Sequence, residues 1–199
     1  MSQVLDISAI YEIKDFAKKA KEFAKYMHKD QTRTDGSPFS LHPIAVAEIV
    51  KAHTGRMLPC VVAFLHDVLE DCDIDEDTMI DMFGKKITDL VKELTLPDIV
   101  EYPENISKKE RSEIKTKILV EKAMIMRSDA KWVKLADRYH NLLTARKTWR
   151  PESVKVYAKQ GLKLYIAMSP YPEGSAELRS KLLHLISCIL AEVEYHENS

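Results

Sequence analysis

The sequence predicts an all-α, single-domain protein, a bundle of about eight to ten helices. Apolar residues recur at three- and four-residue steps along most of the chain, the spacing that lines one face of a helix. Five glycines and eight prolines in 199 residues supply few of the tight turns that an antiparallel sheet needs. Hydrophobic residues make up 45% and charged residues 31%, the balance of a globular chain long enough to bury a proper core.

The elements follow in order. Between Ile7 and His28 the residues Ile10, Ile13, Phe16, Ala17, Ala20, Phe23, Ala24 and Met27 fall at helical spacing, predicting one amphipathic helix. Lys29 to Pro38, with Asp35-Gly36 and Ser37-Pro38, reads as a turn-rich loop. A second helix begins at His42-Pro43, proline suiting a first-turn position, and carries Ile44, Val46, Ala47, Ile49 and Val50. A third spans Leu58 to Asp71. Two short helices, Asp75 to Phe83 and Lys86 to Leu96, are separated at Gly84. Pro97 to Ser107 has no periodicity and is expected to be a loop long enough to be functional.

Ser107-Lys108-Lys109-Glu110 has the form of a capping box and opens a helix to about Met126. The next starts near Ser128 and runs through Trp132 to Leu142. Pro151 introduces another, and Ala176 to about Tyr195 forms the last, expected to complete the core. No internal repeat or second domain is evident, so residues 1–199 are expected to form one domain, with the helices of 151–195 packed on it.

A formal net charge of −1 provides no basic field for nucleic acid or a membrane surface. Lys108, Lys109 and Arg111 are interleaved with Glu110 and Glu113, the pattern of a solvated helix face. No apolar run approaches the roughly 18 residues that span a bilayer, and the N-terminus lacks a signal-peptide pattern. A cytoplasmic location is expected. Cys60, Cys72 and Cys188 are too few and too scattered for a disulfide framework, and Cys60 and Cys188 lie in apolar runs as core fillers.

Two stretches carry chemistry. His66-Asp67-Val68-Leu69-Glu70-Asp71 puts one imidazole and three carboxylates into six residues directly after an apolar run. At about 100° per residue, Asp67, Glu70 and Asp71 lie within roughly 140° of His66, opposite Val61, Phe64, Leu65, Val68 and Leu69. Like charges this close repel, and a bound cation would explain the cluster. An acidic helix end running into solvent through Cys72 to Asp77 is the alternative at this point. In the second stretch Asn141 and Lys134 lie about 40° and 60° from Asp137, while Trp132, Leu135, Tyr139 and Leu142 take the opposite side.

With His42 at a helix start, the His66-Asp67 doublet and the distant Asp137, the chain resembles the HD-domain metal-dependent phosphohydrolases. Arg33 to Pro43, Ala63 to Asp71, Phe83-Gly84, Val91 to Thr95 and Val133 to Arg138 with Asn141 further resemble the hydrolase domain of the RelA/SpoT homologue family, over roughly residues 20–157. The resemblance implies a stand-alone alarmone hydrolase that removes the 3′-pyrophosphate of guanosine tetraphosphate or pentaphosphate. It implies that His42, His66, Asp67 and Asp137 hold one divalent ion, Mn²⁺, and that Glu70 and Asp71 handle the attacking water and its proton. Arg33, Lys134, Asn141 and Tyr157 would contact the nucleotide, and Arg138 would be a structural ion-pair partner. The family often has a basic residue at Thr34 and a tyrosine at Phe39. An adenine alarmone or another nucleotide phosphate is therefore an alternative substrate, and a non-catalytic nucleotide sensor is an alternative of another class. The sequence leaves the oligomeric state open.

Overall fold

The computed structural model describes residues 6–96 and 106–197. Most of the expected loop at Pro97 to Ser107 lies outside those residues.

Eleven helical segments occur among the described residues: α1 (Ile7–Tyr11), α2 (Phe16–Met27), α3 (Leu41–Thr54), α4 (Met57–Leu65), α5 (Val68–Asp71), α6 (Glu76–Phe83), α7 (Lys85–Leu94), α8 (Lys108–Ile125), α9 (Ser128–Thr148), α10 (Pro151–Ala167) and α11 (Ala176–Glu197). The architecture is all-α. One isolated bridge, Thr32 to Pro38, pinches the loop before α3, where Gly36 takes the left-handed turn at φ 82°.

The segment count exceeds eight to ten because two expected helices are each broken. The first breaks at residues 12–15: Asp15 caps α2 by accepting the Lys18 amide at 2.8 Å, while Phe16 stays half exposed. Apolar spacing continues across this break, so periodicity alone runs the two helices together. The second break separates α4 from α5 at His66-Asp67. There the Ala63 carbonyl, which would receive the Asp67 amide in a continuous helix, lies 2.7 Å from His66 Nδ1. A side chain competes with the backbone for the last turn.

Local chemistry sets the other ends. Asp75 caps α6 through the Thr78 amide, Ser107 and Glu110 complete the capping box of α8, and Pro151 stands in the first turn of α10. Gly84 closes α6 and opens α7 at φ 79° and ψ 154°.

Helix α9 is the axle. Every residue from Ala130 to Arg138 is buried, as are Leu142 and Ala145, because α3, α4, α7, α10 and α11 all pack around it. Its Leu135 and Leu142 share one continuous apolar core with Val46 and Val50 of α3, Leu65 of α4, Leu90 of α7, Leu164 of α10 and Leu182 of α11. No described helix is long and apolar enough to cross a membrane.

Candidate metal centre

Three elements converge at one buried point. His42 enters from the first turn of α3, His66 and Asp67 from the break between α4 and α5, and Asp137 from the middle of α9. His42 Nε2 lies 3.5 Å from Asp67 Oδ2 and 3.3 Å from Asp137 Oδ1. His66 Nε2 lies 3.2 Å from Asp67 Oδ2 and 3.7 Å from Asp137 Oδ1. Donor atoms of His42, His66 and Asp67 all fall within 4.8 Å of one another, a group that could hold a metal ion.

Hydrogen bonding fixes one ring. A carbonyl cannot donate, so His66 Nδ1 carries the proton it gives to Ala63 O. Nε2 then faces the carboxylates. It is buried and forms no hydrogen bond, although Asp67 Oδ2 lies 3.2 Å away. An orphaned, buried imidazole nitrogen beside two carboxylates is the donor set a divalent cation would use.

The charges are strongly coupled. Burial would lower the pKa of His66, but Asp67 and Asp137 more than offset it and push it up to about 9. Burial lowers His42 to about 4 and raises Asp67 to about 6. Asp137 is held well below the usual carboxylate range despite its burial, by Lys134 and the two histidines. Its Oδ2 accepts from Lys134 Nζ at 3.1 Å and its Oδ1 from Asn141 Nδ2 at 2.6 Å. Asn141 Oδ1 in turn accepts from Arg33 Nη2 at 2.9 Å. Arg33, Lys134 and Asn141 are thus tied to one carboxylate.

Glu70 and Asp71 stand one turn beyond, exposed on α5. Glu70 Oε2 accepts the Leu96 amide at 3.0 Å, while partial enclosure of its carboxyl end and then Glu70 raise the Asp71 carboxyl. Tyr157 makes no hydrogen bond or ring contact with the cluster among the described residues. It packs against Trp149, with ring centroids 5.1 Å apart, and helps line a groove of about 930 Å³ between α8 and α10. Arg138 departs from the expected ion pair: it is only 5% exposed, its guanidinium lies 4.1 Å over the Tyr157 ring, and its Nε and Nη1 have no partner.

Sequence reasoning missed two supports. His140 Nδ1 lies 2.8 Å from His42 Nδ1; its position three residues after Asp137 puts it on the same helix face and was the available signal. Gln31 Nε2 donates to the Asp71 carbonyl at 2.8 Å, joining the loop before α3 to α5. No local pattern marks that contact.

Residues 20–169 match the family profile described as HD domain. The chain belongs to the HD-domain family. This HD domain is 32% identical over 174 residues to a Mycoplasma pneumoniae protein named "Probable guanosine-3′,5′-bis(diphosphate) 3′-pyrophosphohydrolase", covering 83% of the chain and 24% of that protein. It is 32% identical over 142 residues to the Escherichia coli "Bifunctional (p)ppGpp synthase/hydrolase SpoT", covering 71% of the chain and 20% of that protein. The chain therefore spans a quarter or less of the length of these relatives. Among solved structures, the HD domain superposes on a metazoan SpoT ortholog with a TM-score of 0.72, covering 88% of this chain and 96% of that one at 24% identity. That likeness establishes the fold.

Proposed function

We propose that this HD domain is a cytoplasmic, Mn²⁺-dependent hydrolase acting on the 3′-pyrophosphate of guanosine tetraphosphate or pentaphosphate, with water as co-substrate and GDP or GTP and pyrophosphate as products. The observation that carries the reading is the largely buried cluster of two imidazoles and two carboxylates, its His66 Nε2 without a hydrogen bond, with a carboxylate pair one turn away. The names of the sequence relatives support the choice of substrate.

His42, His66, Asp67 and Asp137 would hold the ion. When bound, it supplies Lewis-acid polarisation of a phosphoryl oxygen and of the attacking water. Asp71 takes the proton from that water, a role its raised carboxyl favours over an ordinary carboxylate. Glu70, oriented by the Leu96 amide, aligns the water. Arg33 and Lys134 bring positive charge to the phosphates, and Asn141 sets the position of Arg33. Tyr157, on the groove between α8 and α10, is assigned to the ribose-phosphate end.

One observation favours the adenine counterpart as a second reading. Thr34 stands where a basic residue is common, and its hydroxyl accepts from Trp149 Nε1 at 3.4 Å. Position 34 itself therefore adds no charge beside Arg33 and would present a different contact to the nucleotide.

The test is product identification. Metal-stripped protein is incubated with guanosine tetraphosphate, or with its adenine counterpart, with and without Mn²⁺. Release of GDP and intact pyrophosphate only with Mn²⁺ is expected; faster turnover of the adenine compound selects the second reading. Tight binding without turnover of either compound would make this chain a sensor and sink the hydrolase reading.

A further inference from the structure

The two histidines of the centre are held by different means. His66 is oriented by a backbone carbonyl, Ala63 O, 2.7 Å from Nδ1. His42 faces the carboxylates through Nε2, and the group behind its Nδ1 is a side chain, His140 Nδ1 at 2.8 Å. The two rings lie 5.0 Å apart, tilted by 31°.

A nitrogen–nitrogen contact of 2.8 Å between two imidazoles needs one proton between them, so one Nδ1 donates and the other accepts. If His140 donated, His42 would carry its own proton on Nε2, and the atom facing Asp67 and Asp137 would have no lone pair to offer. If His42 donates, its Nε2 lone pair points into the cluster, matching the arrangement that Ala63 O imposes on His66. Only the second assignment makes both Nε2 atoms donors to a cation.

We propose that His140 is a positioning residue: its Nδ1 accepts the His42 Nδ1 proton, fixing the tautomer and ring angle through which His42 holds a divalent cation. The proposal rests on the metal reading above and is independent of which nucleotide is hydrolysed. Partners of this kind hold a ligand ring in place and raise its basicity, and their loss typically lowers metal affinity about 10–100-fold. Phe39 packs edge-on to His42 at 6.0 Å between ring centroids and steadies the ring, but supplies no acceptor.

Two substitutions separate hydrogen bonding from packing. His140→Asn keeps a polar group near the Nδ1 position and removes the ring; His140→Phe keeps a ring against His42 and removes the acceptor. Mn²⁺ affinity is measured by calorimetric titration of metal-stripped wild type and both variants, with circular dichroism and thermal unfolding to verify the fold. H140N is expected to bind near wild-type affinity and H140F about 10–100-fold more weakly, with the unfolding temperature of metal-stripped H140F close to that of wild type. Retention of affinity by H140F, or its loss in a folded H140N, would overturn the proposal. Nucleotide hydrolysis is assayed separately. Wild type that binds Mn²⁺ but spares guanosine tetraphosphate defeats the substrate assignment and leaves the role of His140 to be decided by the titrations. Wild type that binds no Mn²⁺ defeats both.

Discussion

At the scale of single residues, Asp137 connects the centre to its surroundings. One oxygen faces the histidines and accepts from Asn141, and the other accepts from Lys134. Removing the charge while keeping the shape, Asp137→Asn, leaves Lys134 buried without its counter-ion and takes a donor from the cluster. Metal affinity and hydrolysis are expected to fall together, by roughly 100-fold or more, exceeding the loss of an outer partner. Calorimetric titration and the product assay check this. The same residues give the metal a pH dependence. His42, lowered to about 4, is already neutral near pH 7, whereas His66, raised to about 9, still holds a proton. A cation must displace that proton, so Mn²⁺ affinity should climb as pH rises towards about 9 and flatten beyond. Titrations across that range, in buffers of differing ionisation enthalpy, would register the proton released. Affinity independent of pH would remove His66 from the ligand set.

At the scale of elements, the centre exists because a helix is interrupted. A continuous helix from Leu58 to Asp71 would present His66 and Asp67 about 100° apart. At the break after α4, His66 Nε2 and Asp67 Oδ2 come within 3.2 Å of each other, and Glu70 and Asp71 of α5 lie exposed beyond them. Gln31 then ties α5 to the pinched loop carrying Arg33. Gly84 shows how a single backbone conformation places an element. A Cβ there would meet nothing within 4 Å, yet φ is 79°, a conformation essentially restricted to glycine. Gly84→Ala is therefore expected to destabilise the protein by about 1–3 kcal/mol through backbone strain alone. Chemical denaturation would measure the loss; unchanged stability would mean that the α6–α7 junction relaxes to another conformation.

At the scale of the molecule, α9 carries the candidate ligand Asp137 on one side and core leucines on the others, so the site and the core share one support. A cation held between α3, the α4–α5 break and α9 ties together segments almost a hundred residues apart in sequence. Binding to the folded state alone should stabilise by about 2.7 kcal/mol at a free metal concentration near 100 times Kd, equivalent to a rise of roughly 5–11 °C in Tm for a chain of this size. Thermal unfolding with Mn²⁺ and then with a chelator would measure the rise and its reversal. The rise should be lost in Asp137→Asn.

Residue order alone determined the helical class, most helix ends and the four candidate ligands, because each depends on short-range rules. Apolar residues at helical spacing, the Ser107–Glu110 box, and His42, His66-Asp67 and Asp137 in that order are all visible along a line. The break at His66 was not visible, since a ring bonding to the Ala63 carbonyl competes with a backbone bond that periodicity takes for granted. His140 against His42 and Gln31 against Asp71 were hidden for a different reason. They join residues 98 and 40 positions apart, and only the packing of α3 against α9, and of the loop before α3 against α5, brings those atoms within hydrogen-bonding distance. Arg138, expected as an ion-pair partner, shows the same limit: only the packed structure sets its guanidinium over Tyr157 rather than beside a carboxylate.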